Sequence, residues 1–317
     1  MILSRMRRLF CLGLLVPLAF AQRATVVVIA GAPGEADFAT DITQQLDAWA
    51  RVSAQAGAQH IEIGRVESAA PADRERLQQA LAGEAKDGPA ELWLVLIGHG
   101  TFDGKEAKFN LRGPDIASGE LAEWLKPFKR PLAIIDTTSS SAPFLSRLSA
   151  PQRVVVSATR SGNEQNYARF GKFLAEALAD PKSDLDKDGQ ISLLESFLSA
   201  SHRTAEFYKT ENRLATEHAL LDDNGDALGT PADWFRGVVA TKRAREGAPA
   251  DGPRAHQFHL VRSPAELELS PDVRARRDKL ELEISALRER KAKMSEGKYF
   301  AELEKLLLQL AALYEGT

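Results

Sequence analysis

Four short, uninterrupted apolar runs constrain this chain more than any other feature: residues 26–29 (Val-Val-Val-Ile), 92–97 (Leu-Trp-Leu-Val-Leu-Ile), 132–135 (Leu-Ala-Ile-Ile) and 154–156 (Val-Val-Val). A strand apolar at every position has both faces covered, which is the condition of a parallel strand inside an α/β layer structure. The segments between the runs change period. Phe38, Ile42, Leu46 and Trp49 recur at helical spacing, a second helix is expected around Leu121, Trp124 and Leu125, and a third over residues 166–179. Ile61 and Ile63 alternate in a weaker strand, and a last strand is expected near Phe258-His259-Leu260-Val261. The fold class is therefore α/β, with a mainly parallel sheet covered by helices on both faces and ligand loops beyond the carboxyl ends of the strands.

The N-terminus carries a different signal. Arg5, Arg7 and Arg8 precede an apolar stretch over residues 9–20 that ends in Ala19-Phe20-Ala21. A charged start, a short apolar run and a small-residue end describe a secretory signal peptide, residues 1–21, too short to span a bilayer. Its removal predicts an exported protein, periplasmic or extracellular, with no transmembrane span after cleavage. It also takes away Cys11, the only cysteine, so the mature chain has no thiol nucleophile, disulfide or cysteine metal site. Three arginines leave with it, so 38 basic residues then face 44 acidic ones. That balance gives no nucleic-acid footprint.

After Pro264 the pattern becomes heptad-like. Val273, Leu280, Ile284, Leu287 and Met294 form one seam, and Phe300, Leu303, Leu307, Leu310 and Tyr314 a second, separated by Ser295-Glu296-Gly297. Residues 263–317 are thus expected to form an antiparallel, coiled-coil-like helical hairpin, packed on the main domain (residues 22–262), on a helical partner or in a homodimer. Residues 247–253 read as an exposed loop.

Two constellations carry chemistry. His99 stands between Gly98 and Gly100 at the end of one buried strand, and Asp136-Thr137-Thr138-Ser139-Ser140-Ser141 follows another. Neighbouring parallel strands would bring a histidine base beside a hydroxyl nucleophile, with the Gly100 and Ser139 amides as oxyanion donors. A polar turn capping the next helix accounts for the same hydroxyls. The second constellation is Asp184-Leu185-Asp186-Lys187-Asp188-Gly189-Gln190-Ile191-Ser192-Leu193-Leu194-Glu195. It fits the twelve-residue EF-hand calcium loop at every defining position. Asp184, Asp186 and Asp188 would bind Ca2+ through side chains, Glu195 through both carboxylate oxygens, Gln190 through its backbone carbonyl, and Ser192 directly or through water. A partial echo at Asp222-Asp223-Asn224-Gly225-Asp226 has Ala227 in place of the loop glycine, and reads as a turn or a support for the first loop. His256 and His259, three apart in the expected strand, would face opposite sides and make a poor metal site. Residues 31–34 (Gly-Ala-Pro-Gly) lack both the dinucleotide glycines and the P-loop lysine.

As an ordered set, the block ending in Gly98-His99-Gly100, the block ending in Asp136-Thr137-Thr138-Ser139, and the block running from Val154 through Ser157-Ala158-Thr159-Arg160-Ser161-Gly162-Asn163-Glu164 resemble the caspase–legumain superfamily, in particular bacterial legumain-like proteins. The resemblance covers roughly residues 26–240. It implies a caspase/legumain-like three-layer sandwich, with Arg160 and Glu164 bordering a substrate pocket. Active members carry Cys-x-Ser-Gly where this chain has Ser139-Ser140-Ser141-Ala142, with Thr138 at the cysteine position if the register slips by one. A serine hydroxyl without a tightly coupled base is a poor nucleophile. The expectation is a calcium-binding pseudopeptidase that holds a peptide or protein ligand in the cleft. The alternative is a serine-type hydrolase using Ser139 and His99.

Overall fold

The computed structural model describes residues 23–67 and 70–315, so the expected signal peptide lies outside the described residues. The chain runs through β1 (Thr25–Ala30), α1 (Ala36–Gln55), β2 (Gln59–Ile63), α2 (Asp73–Gly83) and β3 (Leu92–Ile97). A small antiparallel sheet of β4 (Gly100–Phe102), β5 (Ala107–Phe109) and β6 (Ile116–Ala117) follows, then α3 (Ser118–Leu125), β7 (Leu132–Asp136), α4 (Ala142–Leu148), β8 (Arg153–Ser157), α5 (Phe170–Ala177) and α6 (Leu193–Thr210). The domain ends with β9 (Leu220–Asp222), β10 (Thr230–Pro231) and the β11–β12 hairpin (Phe235–Arg236, Val239–Ala240). Three helices close the chain: α7 (Pro264–Glu268), α8 (Pro271–Arg290) and α9 (Glu296–Glu315).

The main sheet has seven strands in the order β10-β9-β8-β7-β3-β1-β2. The five strands from β2 to β8 are parallel, and β9 and β10 add an antiparallel edge. Alternation along each strand divides the core in two. Val26, Val28, Trp93, Val95 and Ile97 face α1, α5 and α6 through Leu46, Trp49, Phe170, Leu174 and Phe197. Val27, Ile29, Leu92, Leu94 and Leu96 face α2, α3 and α4 through Leu77, Leu81, Leu121 and Phe144. The result is the expected three-layer α/β sandwich with a mainly parallel sheet. The register Leu96↔Asp136 puts the carboxyl ends of β3 and β7 side by side.

Some local expectations are corrected. No strand forms at residues 258–261. The chain makes a short 3-10 turn, Ala255–Gln257, and the Phe258 carbonyl accepts from the Leu193 amide at 2.8 Å instead of joining a ladder. Phe258 lies against Trp93, ring centroids 5.8 Å apart. The helix expected over 166–179 begins later, at Phe170, where the buried Glu217 carboxylate receives the Arg169 and Phe170 amides at 2.9 and 3.0 Å. Residues 247–253 are not wholly exposed, because Asp251 and Gly252 are buried.

The C-terminal hairpin is present. On α8, Leu280, Ile284 and Leu287 are buried as the heptad seam predicts. On α9 the buried side is rotated from the expected seam: Tyr299 is buried, while Phe300 and Leu307 are exposed. Lys291 sits 5.2 Å from the centre of the Tyr299 ring, a cation–π contact across the turn between the two helices. Polar contacts tie α8 to the domain: Gln257 Nε2 donates to the Asp278 carbonyl at 2.7 Å, and Glu289 accepts from the Ala250 amide at 2.7 Å. No helix among the described residues is long and apolar enough to cross a membrane.

Candidate active site and cation loop

His99 follows β3 through Gly98, whose φ of +136° lies where only glycine sits without strain. Its Nε2 is 3.1 Å from the Pro33 carbonyl oxygen. A carbonyl can only accept, so a hydrogen bond here places a proton on Nε2 and leaves Nδ1 facing away from Pro33. Phe38 meets the ring edge-on at 5.2 Å, Tyr167 is tilted against it at 5.3 Å, and these two rings stack on each other at 4.5 Å. Tyr167 in turn accepts from Gln45 Nε2 at 3.2 Å. This orienting shell escaped the sequence reading, because β1, α1 and the segment before α5 converge only in three dimensions.

The hydroxyl loop after β7 takes another course. Ser139 Oγ accepts from the Gly100 amide at 3.1 Å and donates to the Gly100 carbonyl at 3.0 Å. One of the two amides expected to hold an oxyanion, that of Gly100, is therefore occupied by the expected nucleophile. Thr138 Oγ1 donates to Asp136 Oδ1 at 2.6 Å, and the Thr138 amide donates to the same oxygen at 3.0 Å. Burial pushes the Asp136 carboxyl up to about 7, and its Oδ2 has no hydrogen-bond partner. Among the described residues no hydrogen bond joins His99 to Ser139 or Thr138.

Access is closed as well. Residues 137–141 are all 2% exposed or less. The loop after β8 lies across them: Ser141 Oγ and Thr159 Oγ1 are 3.1 Å apart, and the Ser140 amide donates to the Glu164 carbonyl at 2.8 Å. Phe102 of β4 packs so tightly on Gly162 that a Cβ there would fall 2.3 Å from the ring. Glu164 works inside this loop. Its carboxylate takes the Arg160 amide at 2.9 Å and approaches His218 Nδ1 at 2.5 Å. Arg160 is 62% exposed by side chain and, with Lys105 and Arg147, lines an open cavity of about 480 Å³ that has no carboxylate in its lining. Of the two residues carried over from the resemblance, Arg160 faces this cavity and Glu164 braces the loop behind it.

In the acidic loop, carboxylate oxygens of Asp184, Asp186 and Asp188 lie within 4.8 Å of one another, the convergence that an oxygen-ligated dication requires. Asp184 receives the Lys187 amide at 2.7 Å and the Gly189 amide at 3.2 Å, and Gly189 takes the left-handed turn at φ +85°. Ser192 caps α6 and closes a capping box with Glu195, which is fully buried and accepts from the Leu185, Asp186 and Ser192 amides and the Ser192 hydroxyl. Gln190 sends its side-chain oxygen to the Ser263 amide at 3.1 Å, leaving its carbonyl to serve the loop. Asp184, Asp186 and Asp188 form one converging group and Glu195 reaches Asp186 in a second, and these carboxylate oxygens are donors of the kind Ca2+ takes.

The second acidic loop repeats this bonding. Asp222 receives the Gly225 and Ala227 amides at 2.9 and 3.0 Å, and Ala227 adopts φ +66° where the first loop has glycine. Here the Arg245 guanidinium stands 3.6 Å from Asp226. The sequence reading of His256 and His259 as facing opposite sides is overturned. Because the segment turns instead of extending, their ring centroids lie 6.3 Å apart, and His256 Nε2 is 3.0 Å from Asp186 Oδ2.

These features define an α/β sandwich with a half-buried His99 and a buried hydroxyl turn at the centre of its sheet and a carboxylate-rich loop at its edge. No family model and no curated protein matches the chain. Among solved structures it is similar to the Drosophila initiator caspase Dronc, at 12% identity and a TM-score of 0.43 over 64% of this chain and 80% of that one. It is also similar to caspase-1 from Spodoptera frugiperda, at 11% identity and a TM-score of 0.42 over 64% and 86% of the two chains. A Geobacter sulfurreducens protein follows at 12% identity, TM-score 0.38, over 57% and 89%.

Proposed function

We propose that this chain is an exported, calcium-stabilised pseudopeptidase of the caspase–legumain type, which binds a peptide or protein segment and does not cleave it. One observation carries the reading: Ser139, 1% exposed, has its hydroxyl closed on both the amide and the carbonyl of Gly100. A nucleophile must reach its substrate and have a base beside it, and the oxyanion donor must be free. The burial of Ser139, its lack of a hydrogen bond to His99 and its hold on the Gly100 amide support the non-cleaving reading. The ligand would rest on the rim, where Lys105, Arg147 and Arg160 line the cavity and favour a carboxylate-bearing segment. The exposed apolar face of α9, with Phe300, Leu307 and Leu308, supports a helical partner or a second copy as part of the same proposal.

A serine-type hydrolase is the second reading, favoured by the His99–Pro33 contact, which keeps an oriented imidazole. Labelling with a serine-reactive fluorophosphonate probe separates the two. The proposal expects no labelling of the native protein; labelling that disappears in Ser139→Ala overturns it in favour of the hydrolase. Calcium is tested by titration of the chelator-stripped protein, where no Ca2+ binding at millimolar concentration overturns that part.

A further inference from the structure

The calcium reading uses oxygen ligands alone, yet a nitrogen reaches the same loop. His256, from the turn before the C-terminal helices, places Nε2 3.0 Å from Asp186 Oδ2. Ligand atoms of Asp186, Glu195 and His256 all lie within 4.8 Å of one another. Two donors on one metal at about 2.1 Å stand roughly 3.0–3.4 Å apart in octahedral or tetrahedral geometry, so the Asp186–His256 separation already suits adjacent ligands. The three come from the loop, the start of α6 and a segment some sixty residues later. Only the fold assembles them.

Their environment matches a ligand set. Glu195 is fully buried and held at both oxygens, with its longest contact, 3.3 Å, to the Asp186 amide. Asp186 and His256 keep about a third of their side chains exposed, 30% and 31%, which leaves an entry path for an ion. Beside them His259 is only 8% exposed, and its Nε2 has no hydrogen-bond partner. A buried imidazole nitrogen without a partner is costly unless something else meets it. Imidazole is a common ligand of Zn2+, Co2+ and Ni2+, whereas Ca2+ takes oxygen almost exclusively.

We propose that Asp186, Glu195 and His256 form a site for a first-row transition-metal dication, with His259 beside it. The site shares two carboxylates with the calcium reading but does not depend on it. Asp184 and Asp188 belong to the calcium set alone. The loop is thus a place where a hard and a borderline cation compete for the same carboxylates.

The test is Co2+ binding to the full-length, chelator-stripped protein, followed by calorimetry and by the visible d–d bands, with Ca2+ titrated separately. Three proteins are compared: native, His256→Gln and Asp184→Asn. Glutamine can still donate to Asp186 Oδ2 but lacks the imidazole, so a merely orienting His256 is preserved by it. The expected result is at least tenfold weaker Co2+ binding and altered bands in His256→Gln, with Ca2+ affinity changed less than twofold. Asp184→Asn should weaken Ca2+ more than Co2+. Co2+ affinity unchanged in His256→Gln overturns the proposal, as does an equal loss for both ions. Absence of Ca2+ binding beside His256-dependent Co2+ binding would sink the calcium reading and leave this one standing.

Discussion

Replacing Ser139 by alanine separates a structural hydroxyl from a catalytic one. The side chain is buried and makes two hydrogen bonds, accepting from the Gly100 amide at 3.1 Å and donating to its carbonyl at 3.0 Å. Gly100 pairs with Phe109 on its other side, and the neighbouring His99 carbonyl takes the Asn110 amide, so the Gly100 polar groups face the serine. Water has little access there. Ser139→Ala therefore strands a buried amide, at a cost of about 1–3 kcal/mol, beyond the loss of the carbonyl bond at roughly 0.5–1.5 kcal/mol. The expected destabilisation is about 2–3 kcal/mol. At roughly 2–4 °C per kcal/mol for a chain somewhat smaller than this one, the midpoint should fall by at most about 4–12 °C. Thermal melts followed by near-ultraviolet circular dichroism read this, with Ser139→Cys expected between alanine and native because a thiol is a weaker donor. An alanine variant that melts within 1 °C of native would refute the reasoning, since the hydroxyl then bridges nothing that matters to the fold.

Glu195→Gln should weaken Ca2+ binding and shrink the calcium-induced rise in midpoint, because the buried carboxylate supplies the charge at the last ligand position; an undiminished rise on adding calcium would contradict this. Burial, with the charge of Asp223 beside it, pushes the Asp251 carboxyl up to about 8. A raised acid binds its proton more tightly in the folded state, so its contribution is complete below pH 4 and is lost as pH climbs toward 8. Asp251→Asn should therefore flatten the decline in stability between pH 4 and 8, and an unaltered slope in denaturant melts counts against the assignment. Leu287, fully buried on α8, should cost about 2–4 kcal/mol on change to alanine if the hairpin is part of the cooperative core, read as a single shifted transition. A native-like midpoint would mean that the hairpin melts apart from the domain.

How much could be read without coordinates depended on the range of the signal. The strands β1, β3, β7 and β8 were legible because unbroken β-branched and aliphatic runs have few ways to be buried other than within a two-sided sheet. The acidic loop was legible because its carboxylates lie within twelve consecutive residues, where spacing alone brings Asp184, Asp186 and Asp188 together. The short strands β4–β6 and β9–β12 were missed, being two or three residues each with no period to detect. The rotation of α9 was missed because this helix is apolar on two adjacent sides, and the heptad pattern does not say which side the partner helix takes.

Sequence alone thus determined the layer class, the placement of His99 and the hydroxyl loop at neighbouring strand ends, and the convergence of the Asp184, Asp186 and Asp188 carboxylates. These follow from local pattern, since side-chain period and ligand spacing are properties of consecutive residues. Only the tertiary structure decided what the residues do there. The pairing of Ser139 with Gly100 rather than His99, the closing of the loop after β8 over the hydroxyl turn, and the arrival of His256 at Asp186 are contacts between segments 39, 24 and 70 residues apart. Nothing in the residue types forbids the opposite outcome at any of these places. A hydroxyl bonds to whichever donor the packing brings within 3 Å, and packing is a property of the whole chain.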